Sequence, residues 1–80
     1  MIKLTVLSRS YCHLCDDMIA ALEDFRGRFS LPLEIDVIDI DRHPSLEATW
    51  GDKVPVLLAG DQEICHYFLD EAALQNRLAG

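Results

Sequence analysis

Apolar and polar side chains alternate from Ile2 to Leu7, in the run Ile2-Lys3-Leu4-Thr5-Val6-Leu7, and this β-rich alternation predicts a first strand. Ser8 to Tyr11 is polar and predicts a short loop. From Cys12 the period becomes helical, with Cys15, Met18, Ile19, Leu22 and Phe25 recurring at three- and four-residue steps. Asp16, Asp17, Glu23, Asp24, Arg26 and Arg28 fall off that stripe, the first acids near its start and the arginines near its end, as the helix dipole favours. Gly27 reads as the end signal, with Pro32 beyond it.

Leu33 to Ile40 is a second apolar-rich run and predicts a second strand. Strand, helix and strand in succession make a βαβ unit, whose strands run parallel through a right-handed crossover. His43-Pro44-Ser45 opens a short helical segment, Leu46 to Trp50, closed by Gly51. Val54 to Leu58 predicts a third strand, and the turn dipeptide Gly60-Asp61 returns the chain as an antiparallel partner over Gln62 to Phe68. Asp70 is placed to cap a last helix that runs through Leu78. The expected architecture is an α/β sandwich of βαβ–ββα order, a mixed four-stranded sheet with helices on its faces. Repeats, low-complexity tracts and linkers are absent, so residues 1–80 are expected to form one domain.

Composition narrows the partners. Half the residues are hydrophobic, enough for a core, and fourteen acidic against seven basic side chains give a formal net charge of −7. No basic stretch is present to displace counterions from nucleic acid or to bind an anionic membrane, so neither partner is expected. The opening MIKLTVLSRS lacks the apolar core and cleavage site of a signal peptide, and no apolar run reaches the length of a membrane span. A cytoplasmic protein is therefore expected. Three cysteines, an odd number, fit a disulfide-stapled secreted framework badly.

In a reducing compartment the spacing Cys12-His13-Leu14-Cys15 points to redox or metal chemistry. Its position says more than its spacing. Cys12 stands where strand gives way to helix, and there unpaired N–H groups and the positive end of the dipole favour a thiolate. A thiolate there is both nucleophile and leaving group, as thiol–disulfide exchange requires. Cys15, one turn on, shares the apolar stripe with Met18 and Ile19, close enough to close a disulfide. Cys12, at the exposed cap, is the expected nucleophile and Cys15 the resolving thiol. A protonated His13 would favour the Cys12 thiolate, and Asp16 and Asp17 would oppose it; sequence does not rank the two.

A metal or iron–sulfur carrier is the competing chemistry, with Cys65, His13, His43 and His66 as further ligands, but their spacing makes no second ligand pair. A third reading is a non-catalytic interaction module on the same fold. Cys65 is expected to be a small core or half-exposed thiol, with a third redox thiol as the alternative. Trp50 is expected to pack the short helix on the sheet, and His66 and Tyr67 to fill surface and core on opposite faces of the fourth strand. Asp36, Asp39 and Asp41 are expected at a solvated edge rather than round a metal.

Taken together, these residues resemble the thioredoxin-fold superfamily, glutaredoxins in particular, across essentially the whole chain. Cys12-His13-Leu14-Cys15 is similar to the family's Cys-Pro-Tyr-Cys, and Val54-Pro55 to its Val-Pro pair, whose cis-proline faces the disulfide. The stretch Ile64 to Asp70 looks like that of small bacterial glutaredoxin-like proteins grouped as a domain of unknown function. Where glutaredoxins place Gly-Gly and an aspartate, this chain has Tyr67-Phe68-Leu69-Asp70, and Lys53 stands in place of a threonine.

The resemblance implies a thioredoxin-like fold and a dithiol oxidoreductase acting on protein or small-molecule disulfides. It implies catalytic Cys12 and Cys15, a substrate-binding set of Arg9, Tyr11, Lys53, Val54, Pro55 and Asp70, and no metal ligands. The backbone before Pro55 is expected to pair with substrate as an added strand. No resident cofactor is expected, and electrons would come from glutathione or a thioredoxin-reductase-type flavoenzyme. The protein is expected to act as a monomer.

Overall fold

In the computed structural model, which describes residues 2–79, four strands and three α-helices follow one another as β1 (Ile2–Ser8), α1 (His13–Phe29), β2 (Leu33–Asp39), α2 (Pro44–Trp50), β3 (Val56–Ala59), β4 (Gln62–His66) and α3 (Glu71–Ala79). The sheet order is β2-β1-β3-β4, with β1 parallel to β2 and antiparallel to β3, and β3 antiparallel to β4. This is the mixed four-stranded α/β sandwich that the alternation and the βαβ pattern predict.

The alternation of β1 divides the core in two. Leu4 and Val6 point to the face covered by α1 and α3, where Met18, Leu22, Phe25 and Leu74 meet Leu57 and Cys65. Leu7 points to the opposite face, where Val56, Leu58 and the buried Ile40 receive Leu46 and Trp50 from the segment around α2. β1 and β3 are therefore central, and β3 is apolar on both faces and buried along its whole length.

Several element ends depart from the sequence expectations, five of them for a clear local reason. Gly27 does not end α1. The helix continues to Phe29 because Phe25 and Phe29 stack with centroids 4.9 Å apart and Arg28 bridges to Asp24 at 2.7 Å and to Glu71 of α3 at 2.6 Å. The left-handed cap is Ser30 (φ 50°), closed by Leu31 N–H to Arg26 C=O at 3.1 Å and Ser30 N–H to Gly27 C=O at 3.3 Å. β2 stops at Asp39, whose carboxylate accepts the Asp41 N–H at 3.0 Å and turns Ile40–Arg42 into a single 3₁₀ turn.

α2 begins earlier than Leu46, because Pro44 fits the first helical turn, where its missing N–H costs nothing. β3 begins at Val56 rather than Val54, since Pro55 has no N–H for the ladder. β4 ends at His66 rather than Phe68. Tyr67 takes φ 65° and Phe68 N–H closes onto His66 C=O at 2.8 Å, which breaks the extended backbone. A bulge at Ile64, between the pairs Leu57–Cys65 and Leu58–Glu63, also bends this strand. The capping of α3 is as expected: Asp70 Oδ1 accepts the Ala73 N–H at 3.0 Å.

Two substitutions test this packing by chemical denaturation. Leu22 is fully buried between α1 and the sheet, so Leu22→Ala should lower stability by about 2–5 kcal/mol. Gly27 is helical and exposed, and a Cβ added there would meet nothing within 4 Å, so Gly27→Ala should raise stability by about 0.5–1 kcal/mol.

Candidate active site

The site is built where β1 runs into α1. Tyr11 takes a left-handed backbone (φ 59°) that turns the chain sharply, and Cys12 follows with extended angles as the N-cap residue. Ser, Thr, Asp or Asn usually occupies such a cap, offering an oxygen to the first helical N–H groups. Here the acceptor is sulfur: Cys12 Sγ receives the Cys15 N–H at 3.2 Å, while Cys12 C=O receives the Asp16 N–H at 3.2 Å. Cys12 and Cys15 are joined as a disulfide, their Cα atoms 5.2 Å apart. The two sulfurs are unequal. Cys12 is half-buried, whereas Cys15 is 0% exposed among the core side chains. His13 and Leu14 are exposed between them, and the Tyr11 side chain is fully exposed beside them.

The register brings a second segment to the same end of the sheet. Leu7 pairs with Val56, so continuing the ladder sets Pro55 across from Ser8, where the loop to Cys12 begins. The Val54–Pro55 peptide bond is cis, and Pro55 is buried. Among the described residues the Val54 N–H and C=O have no backbone partner. Tyr67 fixes this segment from the side: its N–H donates to Pro55 C=O and its hydroxyl to Asp52 C=O, both at 2.8 Å. Tyr67 is thus half-exposed and structural, not the core filler of β4 that alternation suggests. Its left-handed backbone carried no signal, because that conformation is unusual for a tyrosine. Phe68 beside it is well exposed.

The charged residues expected to bind substrate are occupied within the protein. Arg9 donates from Nε to Asp41 Oδ1 at 3.1 Å and from Nη2 to Glu47 Oε2. The hydrogen bond to Glu47, reinforced by attraction to both carboxylates, holds the guanidinium above its usual pKa. Glu47 has room for this because Gly51 follows it by one turn. A Cβ at residue 51 would lie 2.6 Å from both the Glu47 C=O and its Oε1. Lys53 Nζ lies 5.7 Å from the centre of the Trp50 ring, and Asp70 is spent on its cap. Asp41 and Glu47 carry no signal as site residues in the sequence, since they lie 32 and 38 positions from Arg9 and no short-range spacing links them to it.

Cys65 lies apart, buried beneath the start of α3. Among the described residues, no group of three His, Cys, Asp or Glu side chains is placed to hold a metal, and no helix is long and apolar enough to cross a membrane.

Burial pushes the Cys65 thiol above its usual range, against the opposing hydrogen bond from the Asp70 N–H. The folded protein therefore keeps this proton to higher pH than the unfolded chain does. The group leaves stability unchanged below the ordinary thiol range and weakens it as pH rises through that range. With the Cys12–Cys15 disulfide intact, native protein should resist alkylation at neutral pH and take up one label only in denaturant. Rapid single labelling without denaturant would contradict this placement of Cys65.

The family model of the glutaredoxin-like domain (DUF836) matches residues 3–79. The chain is similar to protein Ne2328 from Nitrosomonas europaea, with 41% identity and a TM-score of 0.85, covering 95% of this chain and 89% of that one. It is similar also to protein XcR50 from X. campestris, with 31% identity and a TM-score of 0.73, covering 95% of each chain. Thioredoxin 1 from Thermosipho africanus shares the fold, with a TM-score of 0.60 at 22% identity over 98% of this chain and 96% of that one.

Proposed function

The chain belongs to the glutaredoxin-like domain family (DUF836), and on that footing we propose that it is a dithiol–disulfide oxidoreductase. The observation that carries the reading is the inequality of the two sulfurs. Cys12 stands at a helix N-terminus with a backbone N–H directed at its sulfur, and Cys15 is sealed behind it. In the reduced protein the same N–H and the helix dipole favour a Cys12 thiolate.

That thiolate attacks one sulfur of a substrate disulfide. A Cys12–substrate disulfide forms, the substrate S–S bond breaks, and one substrate thiolate leaves. Cys15 then attacks Cys12 Sγ, its proton passing to the second departing substrate sulfur. The Cys12–Cys15 disulfide forms, and two electrons have moved from the protein to the substrate. The unpaired Val54 backbone, held in place by Tyr67, supports docking of an extended substrate segment as an added strand beside Pro55. Exposed Tyr11, Leu14 and Phe68 supply apolar contact for a polypeptide substrate. Regeneration uses glutathione or a thioredoxin-reductase-type flavoenzyme, in a reducing compartment such as the cytoplasm.

A disulfide-reduction assay with single variants tests this. Cys12→Ser should lose activity to background. Cys15→Ser should accumulate a mixed disulfide on Cys12, seen as a mass increase equal to one substrate half. If both variants reduced disulfides as fast as the parent, the enzymatic reading would be wrong.

A further inference from the structure

Resting on the disulfide-exchange reading, we propose that Asp41 and Glu47 are specificity-determining residues that set the site against anionic thiols and disulfides, glutathione included. The favoured substrates are disulfides flanked by neutral or cationic groups, as in a basic polypeptide segment. The starting observation is Arg9. It stands three residues before Cys12, within about 10 Å by the reach of the chain, and is the cation that a carboxylate-bearing substrate would need. Its Nε is paired with Asp41 from the 3₁₀ turn and its Nη2 with Glu47 from α2. One positive charge is thereby set against two negative ones, and the group as a whole is anionic. Gly51 leaves the room that Glu47 occupies, since a Cβ there would lie 2.6 Å from its backbone oxygen and from its Oε1.

The surroundings repeat the sign. A groove of about 340 Å³ lies under Tyr11 on the α1 side of the sheet, and its walls include Arg9, Asp16, Ile19, Val37 and Asp39. Its apolar part is Ile19 and the exposed Val37, and its carboxylates stand at either wall, on α1 and at the end of β2. The segments 9–17 and 39–53 together carry six carboxylates and three cationic side chains, histidine aside. Of those cations, Lys53 is turned onto the Trp50 ring. A ligand approaching Cys12 from this side passes segments with an excess of three carboxylates over cations, and at 0.1 M salt such charges act over about one Debye length, roughly 10 Å. Fields of this kind change encounter rates by about ten- to a thousandfold. Glutathione and its disulfide carry an excess of carboxylates over ammonium groups and are therefore disfavoured. Between glutathione and a flavoenzyme as electron donor, this favours the flavoenzyme.

The test uses the fully reduced protein, freed of reductant and mixed with excess small disulfide. Loss of the Cys12 and Cys15 thiols is counted by mass after acid quenching and alkylation. Three disulfides of different charge are compared: cationic cystamine, neutral bis(2-hydroxyethyl) disulfide and anionic oxidised glutathione. At low ionic strength the second-order rates should fall in that order, with cystamine at least about tenfold faster than oxidised glutathione. The gap should close as salt rises toward 1 M, where the Debye length is about 3 Å.

The double variant Asp41→Asn, Glu47→Gln keeps acceptors for Arg9 and removes both charges. It should raise the ratio of the oxidised-glutathione rate to the neutral-disulfide rate at least threefold, an order-of-magnitude expectation of about the size that steering charges produce. Equal rates for the three disulfides in the parent, or a preference for the anion, would overturn the proposal. So would an unchanged ratio in a folded double variant. The salt series on the parent decides the matter if the double variant does not fold. A parent that reacts with none of the three would refute the exchange reading itself, a failure distinct from loss of charge order.

Discussion

The first N–H groups of a helix have no partner within it, and in this protein a sulfur atom meets that need. Everything distinctive about the site follows from this substitution of sulfur for oxygen at a cap. The cap residue must have extended angles and its side chain must reach back over the first turn, so Cys12 cannot point away into solvent. The residue one turn on lies on the same side of the helix, and in α1 that side is the buried stripe. A pair made of one cap position and one core position is therefore asymmetric by construction. Access and burial are allotted by backbone geometry before any tuning by neighbouring charge.

The sheet supplies the second half of the site. Because β1 is central, its carboxyl end meets the start of α1 on one side and the start of β3 on the other. The cis-prolyl segment thus arrives beside the cap loop without any contact between the two having to be specified separately. Tyr67 hydrogen-bonds the loop on either side of Lys53 and Val54. The left-handed backbone that glycine adopts freely is kept here in a tyrosine, at some conformational cost, in exchange for two hydrogen bonds and a ring packed edge-on against His66.

Much of this was legible in the sequence, and the pattern of what was not is physical. Strands and helices that owe their form to burial, such as the Cys15–Phe25 stripe and the alternation of β1, are written in residue spacing. The Asp70 cap is local and equally readable. Ends set by hydrogen bonds from unexpected residues are not. A serine takes the left-handed cap of α1 while the nearby glycine stays helical, and a tyrosine closes β4. The cysteine pair and Val54-Pro55 could be picked out because each has a local signature. The pairing of Arg9 with Asp41 and Glu47 depends on three segments meeting in space, so a basic residue that looks available in the sequence is engaged in the fold.

Gly51 gives that engagement an evolutionary side. It carries no charge and no side chain, and it stands a full turn of backbone away from the residue it accommodates. Yet the space it leaves is what lets a carboxylate sit against Arg9. Among relatives of this protein, the charge presented near the reactive sulfur can therefore drift through a change at an uncharged position, with every ionisable residue left in place. Comparing only the charged residues of two such proteins would miss the difference, because the determinant is a missing methyl group.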